Sequence, residues 1–525
     1  MSPRRAVAVV CCVAALCSAP SCGESGKRAE DGSVGGTTPP RPNIIVLTVD
    51  TLRADHLRLY GYPRDTMPGI EALATAAAVF DTAVVPRGST RPSYASMLTG
   101  LYPFHHGVRS NGRVLHADVP TLAETLRAAG YHTAAFVSNF VLLGEMSGLA
   151  QGFDVYDDRL GEQQHGALPG GPGGASYERT AANTAAAILR WLDANPPQPF
   201  LLFVNFIDPH GPYRPPDHYR TLFQSDRVRL LDPSAIPPYA REPDTLNFYD
   251  YVDRYDGEIR LVDDAIAEIV HTLRARGVWD GAVVVFTADH GEGFGEHAQL
   301  FEHHWHLWEE TTRVPLVVRL PIRRGDGTAA RRIHGVASPL DLAPTLLSYL
   351  GLHPDGRLDG IDLLPALRGA ELPDRAFFIE FPAVATSFMA HADVFAVRAA
   401  SRKLVRTDNP QTGEMLSQVF FDIAKDPFEQ QGIAYDGGDP AHRRLAVALD
   451  EMVREVRSTV LPFPVVEYEM PLQERPAFMA GRATDAGRTT RSLTPAQVEA
   501  LRALGYVEGR AGGGAATSKC GAAGE

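Results

Sequence analysis

The sequence predicts a doubly wound α/β fold with a mostly parallel sheet and a small C-terminal antiparallel-sheet subdomain. Three observations carry this expectation. PNIIVLTVD (Pro42 to Asp50), LLFVNFID (Leu201 to Asp208) and AVVVFTAD (Ala282 to Asp289) are nearly continuous apolar runs that each end in Asp, the pattern of buried parallel strands with a polar C-terminal edge. Between them, VPTLAETLRAAGY (Val119 to Tyr131) and IRLVDDAIAEIVHTLRAR (Ile259 to Arg276) have helical spacing, the second starting after a Gly and an acidic residue. Past residue 370, short runs rich in β-branched and aromatic residues surround a turn, which reads as a separate small sheet.

At 525 residues, 44% hydrophobic and 22% charged, the chain has room for one large domain and a smaller one. A net charge of -13 gives no reason to expect a nucleic-acid partner. The chain starts with Arg4 and Arg5 before a short apolar run, so residues 1–22 read as a secretory signal and the protein as exported, to the periplasm or cell surface. Cys22, followed by Gly23 and a polar stretch, offers the alternative of a lipoprotein leader and a membrane anchor, although Ala19 stands three residues upstream where Leu is usual. Residues 23–41 are Gly, Pro and charge without apolar periodicity, hence a flexible tether. The catalytic domain is expected over 42–370, the α+β subdomain over 371–470, and an extension and tail over 471–525.

The segment STRPSYASMLTG (Ser89 to Gly100) holds five Ser and Thr hydroxyls and has a Pro near its start and a Gly at its end, which predicts a helix whose N-terminus lies just before Pro92. Backbone N–H groups there are unpaired and suit an anion. An Asp after a single strand is more often a helix cap than a ligand. Asp50, Asp208 and Asp289 end three strands of one sheet, however, and His210 and His290 follow the latter two closely, so the set points to a metal-bound anion site beyond the strand ends.

Taken together, NIIVLTVDTLRADHL from Asn43, PSYASMLTGLYP from Pro92, FIDPHGPY from Phe206, TADHGEGFGEH from Thr287, RVPL from Arg313, LDLAPTL from Leu340 and FFDIAKDPFE from Phe420 resemble the sulfatase family of the alkaline phosphatase superfamily. The resemblance spans roughly residues 42 to 430 in the family's order. It implies that fold, hydrolysis of sulfate or phosphate esters, and a divalent metal. The motif also departs from the family. Where family sulfatases carry a formylglycine-forming Cys or Ser two residues before the Pro and an Arg two after it, this chain has Thr90 and Tyr94. Thr cannot become formylglycine. The family's acidic pair is Asp50 and Thr51 here, the Asn after the third-strand Asp is His290, and the Lys that helps hold sulfate is replaced near Ser138 and Asn139.

These changes move the implied metal ligands Asp50, Thr90, Asp289 and His290 toward a softer set, suited to Zn2+ as one or two ions, with Ca2+ or Mn2+ as alternatives. Thr90 is then the nucleophile. A Thr ester cannot be released by carbonyl elimination, so an activated water must hydrolyse it. Asp208, His210, and in FEHHWHLW first His303 and then His306, are the candidates for a second metal or for substrate contacts, with His210 and His303 catalytic. Glu292, Glu296 and His297 read as supporting or capping groups. The expected partner is a sulfated or phosphorylated small molecule, sugar or lipid. The alternatives are a phosphotransferase using the same Thr intermediate, or an inactive binding protein that kept the fold.

In the C-terminal part, FFIEF (Phe377 to Phe381), VFAVR (Val394 to Arg398), KLVR (Lys403 to Arg406) and VFFDI (Val419 to Ile423) read as strands, Asp408 to Gly413 as a turn, and Pro440 to Arg457 as a helix. A further short helix is expected over Leu493 to Tyr506, with Thr494 as N-cap. Four of the five Cys lie at or before Cys22 and the fifth is Cys520, so the body between them contains no thiol. The same thermal midpoint is therefore expected in strong reductant and without it, by scanning fluorimetry at constant metal; a clear drop in reductant would contradict a disulfide-independent fold.

Overall fold

The computed structural model describes residues 41–160, 178–242, 245–297, 299–303, 307–322, 330–354, 356–381, 392–469, 489–495 and 497–498. The leader, Cys22, the tether up to residue 40, His306 and most of the last predicted helix lie outside the described residues. Among the described residues no helix is long and apolar enough to cross a membrane.

In chain order the strands are β1 (Ile44–Val49), β2 (Ala78–Val84), β3 (Arg113–Val114), β4 (His132–Phe136), β5 (Val155–Asp157), β6 (Phe200–Phe206) and β7 (Val283–Ala288). They continue with β8 (Gly293–Phe294), β9 (Leu300–Glu302), β10 (Arg313–Val314), β11 (Leu316–Arg319), β12 (Arg331–Ala337), β13 (Phe377–Phe381), β14 (Asp393–Ala399), β15 (Arg402–Asp408), β16 (Met415–Asp422), β17 (Ile433–Ala434), β18 (Val466–Glu469) and β19 (Thr489–Ser492). The main sheet runs β10-β2-β11-β7-β1-β6-β4-β5, with β12 on β2. β1 pairs in parallel with both β7 and β6, in register so that Val49 lies between Ala288 and Phe206. Every residue of β1, β6 and β7 is buried. Both faces of these strands are therefore covered, which is why they read as continuous apolar runs. The doubly wound expectation holds, with an antiparallel insertion where β11 joins β7 to β2.

Thr90–Thr99 is a helix with Ser89 at its N-cap and Gly100 past its end at φ 68°, as predicted. Leu122–Ala128 starts on a Thr121/Glu124 capping box. The second predicted helix begins earlier than expected. It runs from Phe248 to Ala275, straight through Gly257 and Glu258, which the sequence pattern places just before a start at Ile259. Gly257 is there for packing, since a Cβ would meet the Tyr219 carbonyl oxygen at 2.6 Å.

β13 to β17 form the second, antiparallel sheet in sequential order. The Pro440–Ser458 helix covers one face, placing Leu445, Leu449 and Val453 against Phe378, Phe395 and Leu404. Phe377, Ile379 and Phe421 on the other face pack with Val84 and Val336 of the main sheet's edge. Buried ion pairs reinforce this join, Arg398 to Glu309 at 2.8 Å and Lys403 to Glu309 at 3.7 Å. The region read as extension and tail contributes structure as well, because β19 pairs with β18, which pairs with β3.

Gly291, just past β7, sits so close to the next segment that a Cβ would meet the Glu310 carbonyl oxygen at 2.0 Å. Gly291→Ala should cost roughly 2 kcal/mol or more, read as a lower thermal midpoint. Gly281→Ala, with nothing within 4 Å of the added carbon, serves as the tolerated control. Equal midpoints for the two variants would refute this packing constraint.

Candidate active site

Because β7, β1 and β6 are neighbours, their C-terminal ends bring Asp289 and His290, Asp50, and the segment from Ile207 to His210 to one edge. Asp50, Asp289 and His290 are fully buried and offer ligand atoms that all lie within 4.8 Å of one another. Each carboxylate is held by one oxygen. Asn139 Nδ2 donates to Asp50 Oδ2 at 2.7 Å, while the N–H groups of His290 and Thr51 donate to Asp289 Oδ1 at 2.9 and 3.3 Å. The other oxygens, Asp50 Oδ1 and Asp289 Oδ2, are buried and accept no hydrogen bond. Thr51 reaches this position at φ 53°, an unusual conformation for a β-branched residue.

The tautomer of His290 follows from its partner. Nδ1 lies 2.9 Å from the Gly291 carbonyl oxygen, which can only accept, so Nδ1 carries the proton and Nε2 presents a lone pair. Nε2 is 3.6 Å from Asp50 Oδ1 and 3.4 Å from Asp289 Oδ2. Burial lowers the pKa of His290 and keeps the ring neutral. Burial likewise raises the carboxyl of Asp50 well above its ordinary value, with the Asp289 charge adding to the effect, and pushes Asp289 up to about 8. Two carboxylate oxygens and an imidazole lone pair facing one point repel one another. A divalent cation turns that repulsion into attraction, so the donor set fits a metal.

Thr90 opens its helix beside this group, fully buried, with Oγ1 3.2 Å from His290 Nε2. Ser93 and Thr99 turn their hydroxyls to backbone carbonyls of Arg87 and Ala95, and Ser96 pairs with His106. Tyr94, at the family's Arg position, points into the sheet. Thr48 donates to the Val204 carbonyl, so the Tyr94 hydroxyl donates to Thr48 at 2.7 Å and accepts from Asn205 at 2.8 Å. It cannot replace the missing guanidinium.

His303 is also fully buried and its ring stacks on that of His290, with centroids 4.3 Å apart; His210 meets it edge-on at 5.1 Å. His303 Nδ1 lies 3.1 Å from Glu292 Oε1, and Tyr213 donates to Glu292 Oε2 at 3.0 Å. Burial pushes Glu292 up to about 8 and His210 down to about 4. Asp208 is not with them. Its Oδ2 accepts the Ala181 N–H at 2.7 Å, at the start of the Ala181–Asp193 helix, so this strand-end Asp has the helix-capping role that the residue type most often has. Burial raises its pKa to about 6. Of the three groups read as supporting or capping, Glu296 binds Arg53 and His297 binds Glu310, whereas Glu292 holds His303. Asn139, noted in the sequence only where a Lys was missing, holds Asp50. It follows β4, whose short mixed sequence HTAAF carries no clear strand signal.

A family model described as Sulfatase matches residues 42–352, more than half of the chain. The chain belongs to the sulfatase family. A second model, N-sulphoglucosamine sulphohydrolase, C-terminal, matches residues 295–459. The chain is 26% identical to an ulvan-active sulfatase of Formosa agariphila over 78% of this chain and 80% of that one. It is also 26% identical to the multifunctional alkaline phosphatase superfamily protein PehA of Trinickia caryophylli, over 77% of this chain and 93% of that one. In fold it is similar to the phosphonate monoester hydrolase of Agrobacterium radiobacter, with TM-score 0.62 and 23% identity over 80% of this chain and 96% of that one. Membership places the protein in the alkaline phosphatase superfamily and among hydrolases of sulfate or phosphate esters.

Asp289→Asn keeps the shape of the group and removes one charge. It should lower bound metal at least about tenfold, by elemental analysis, and raise the thermal midpoint of the metal-free protein. Unchanged metal content would show that the group does not hold the ion.

Proposed function

We propose that this sulfatase-family protein is a metal-dependent hydrolase that opens sulfate or phosphate esters through a covalent ester on Thr90. The observation that carries the reading is the position of Thr90 Oγ1: at a helix N-terminus, 3.2 Å from the lone pair of His290 Nε2 and beside the free oxygens of Asp50 and Asp289. Asp50, Asp289, His290 and Thr90 would hold the ion, which supplies positive charge that favours the Thr90 alkoxide and screens an anionic ester. The imidazole and only two carboxylates support Zn2+ over Ca2+.

Thr90 Oγ1 attacks sulfur or phosphorus, the bond to the alcohol oxygen breaks, and the alcohol leaves with a proton. His303, fixed by Glu292 and flanked by His210, is the proton carrier for that step. Water then attacks the same centre, the Thr90 ester bond breaks, and the hydroxyl regains its proton. A Thr cannot follow the formylglycine route, so nothing in the nucleophile restricts the enzyme to sulfate. Similarity to a relative named for multiple activities in the alkaline phosphatase superfamily supports including phosphorus esters. The Arg4–Arg5 leader supports export, and Cys22 a lipid anchor.

Thr90→Ala is expected to lower turnover of a 4-nitrophenyl ester by about three orders of magnitude or more with an unchanged melting profile, while Thr90→Ser keeps measurable turnover. Near-normal turnover in Thr90→Ala would remove the covalent mechanism. Chelation should abolish activity, and Zn2+ or Mn2+ should restore it better than Ca2+. Intact mass should show an unmodified Thr90 side chain, and 4-nitrophenyl phosphate should be hydrolysed at least as fast as the sulfate; activity confined to sulfate would overturn the substrate assignment.

A further inference from the structure

The loop leading into the Thr90 helix carries a cation that the reaction above does not use. Arg87 is only 3% exposed. Its carbonyl accepts from Ser93 Oγ at 2.7 Å and from the Ser89 N–H at 2.9 Å, which pins its backbone to the first turn of that helix. Its guanidinium lies 5.0 Å from the centroid of the Phe381 ring, yet Nε and Nη1 are buried and donate no hydrogen bond. Several other buried arginines are tied to acids, Arg53 to Asp55 and Glu296, Arg179 to Asp157, Arg398 to Glu309, while Arg91 and Arg319 donate to backbone carbonyls. The carboxylate that acts on Arg87 is already engaged, because both oxygens of Glu380 accept from Arg109, at 2.9 and 2.8 Å.

The segment that holds the first turn of the same helix leaves further donors unspent. Asn111 Oδ1 accepts the Arg91 N–H at 2.9 Å, while its Nδ2 is buried without a partner, as is Ser110 Oγ. Burial, and after it the charges of Arg109 and Arg113, press the Arg87 pKa down to about 10, so the guanidinium keeps its charge at neutral pH. Unpaired donors on a guanidinium whose one neighbouring carboxylate is spent on Arg109 call for an acceptor with negative charge, and the planar fork of Arg suits a sulfate, phosphate or carboxylate. Arg87 precedes Thr90 by three residues and Asn111 holds the N–H of Arg91, the residue after Thr90, so both flank the helix end that carries the nucleophile.

We propose that Arg87 and Asn111 form a second anion site beside Thr90 that receives a further anionic group on the alcohol part of the ester, so that the protein selects polyanionic substrates. The selection rests on the ester-hydrolase reading of Thr90, but the site can be tested by binding alone. Calorimetry on the metal-loaded protein would compare methylphosphonate with phosphonoacetate and 3-phosphonopropionate, which add a carboxylate at two reaches. At least one of the two bis-anions should bind about tenfold or more tightly than methylphosphonate. Arg87→Gln and Asn111→Asp should bring the ratio close to one, and Arg87→Lys should keep part of it. Equal affinities in the native protein, or an undiminished ratio in a folded Arg87→Gln or Asn111→Asp variant, would overturn the site. Loss of ester hydrolysis throughout with the ratio intact would sink the Thr90 reading and leave the site standing.

Discussion

Everything around the site depends on keeping two buried carboxylates and a neutral imidazole with their lone pairs aimed at one point. In a desolvated environment that arrangement is repulsive unless a cation fills it, and it persists only if the surrounding chain holds each group by its other polar atoms. The structure does this with single, directed hydrogen bonds. Asn139 takes one oxygen of Asp50, the Thr51 and His290 N–H groups take one oxygen of Asp289, and the Gly291 carbonyl takes the proton of His290. Adjacent parallel strands in register supply the rigidity, since β7, β1 and β6 fix where the chain leaves the sheet.

That constraint explains features that otherwise look incidental. Gly291 has no side chain because the Glu310 carbonyl lies where a Cβ would be. Thr51 occupies a left-handed conformation because only that turn aims its N–H at Asp289. Glu292, two residues beyond His290, turns back to hold His303 against the His290 ring, so the histidine contributed by the loop after β9 is positioned by the loop after β7.

The departures from the family motif form a coherent set. Tyr94 in place of Arg moves that position out of the anion-binding surface and into a hydrogen-bonded bed with Thr48 and Asn205 beneath the sheet edge. His290 in place of Asn adds a nitrogen donor, and Thr51 in place of Asp removes a charge. Arg87, by contrast, keeps a buried positive charge in the loop that leads into the Thr90 helix, with Nε and Nη1 unspent and its guanidinium over the Phe381 ring.

The sequence by itself determined the sheet centre, because strands buried on both faces must be continuously apolar and must end where a polar residue can reach the edge. It also determined the helix that begins at Thr90, through Pro92 and Gly100, and the C-terminal strands, through their turns. It fixed the identity of Asp50, Asp289 and His290 as neighbours of strand ends, but not their mutual distances. Tertiary structure alone decided that Asp208 caps the Ala181–Asp193 helix while its two counterparts converge, since the three look alike one strand at a time. It also decided that Gly257 lies inside a 28-residue helix and that Asn139 and Glu292 hold groups of the site. The physical reason is range. Apolar periodicity and turn chemistry are local and legible within a dozen residues, whereas the partner that satisfies a buried polar atom comes from far along the chain, as Asn139 does for Asp50 and as none among the described residues does for Arg87 Nε and Nη1.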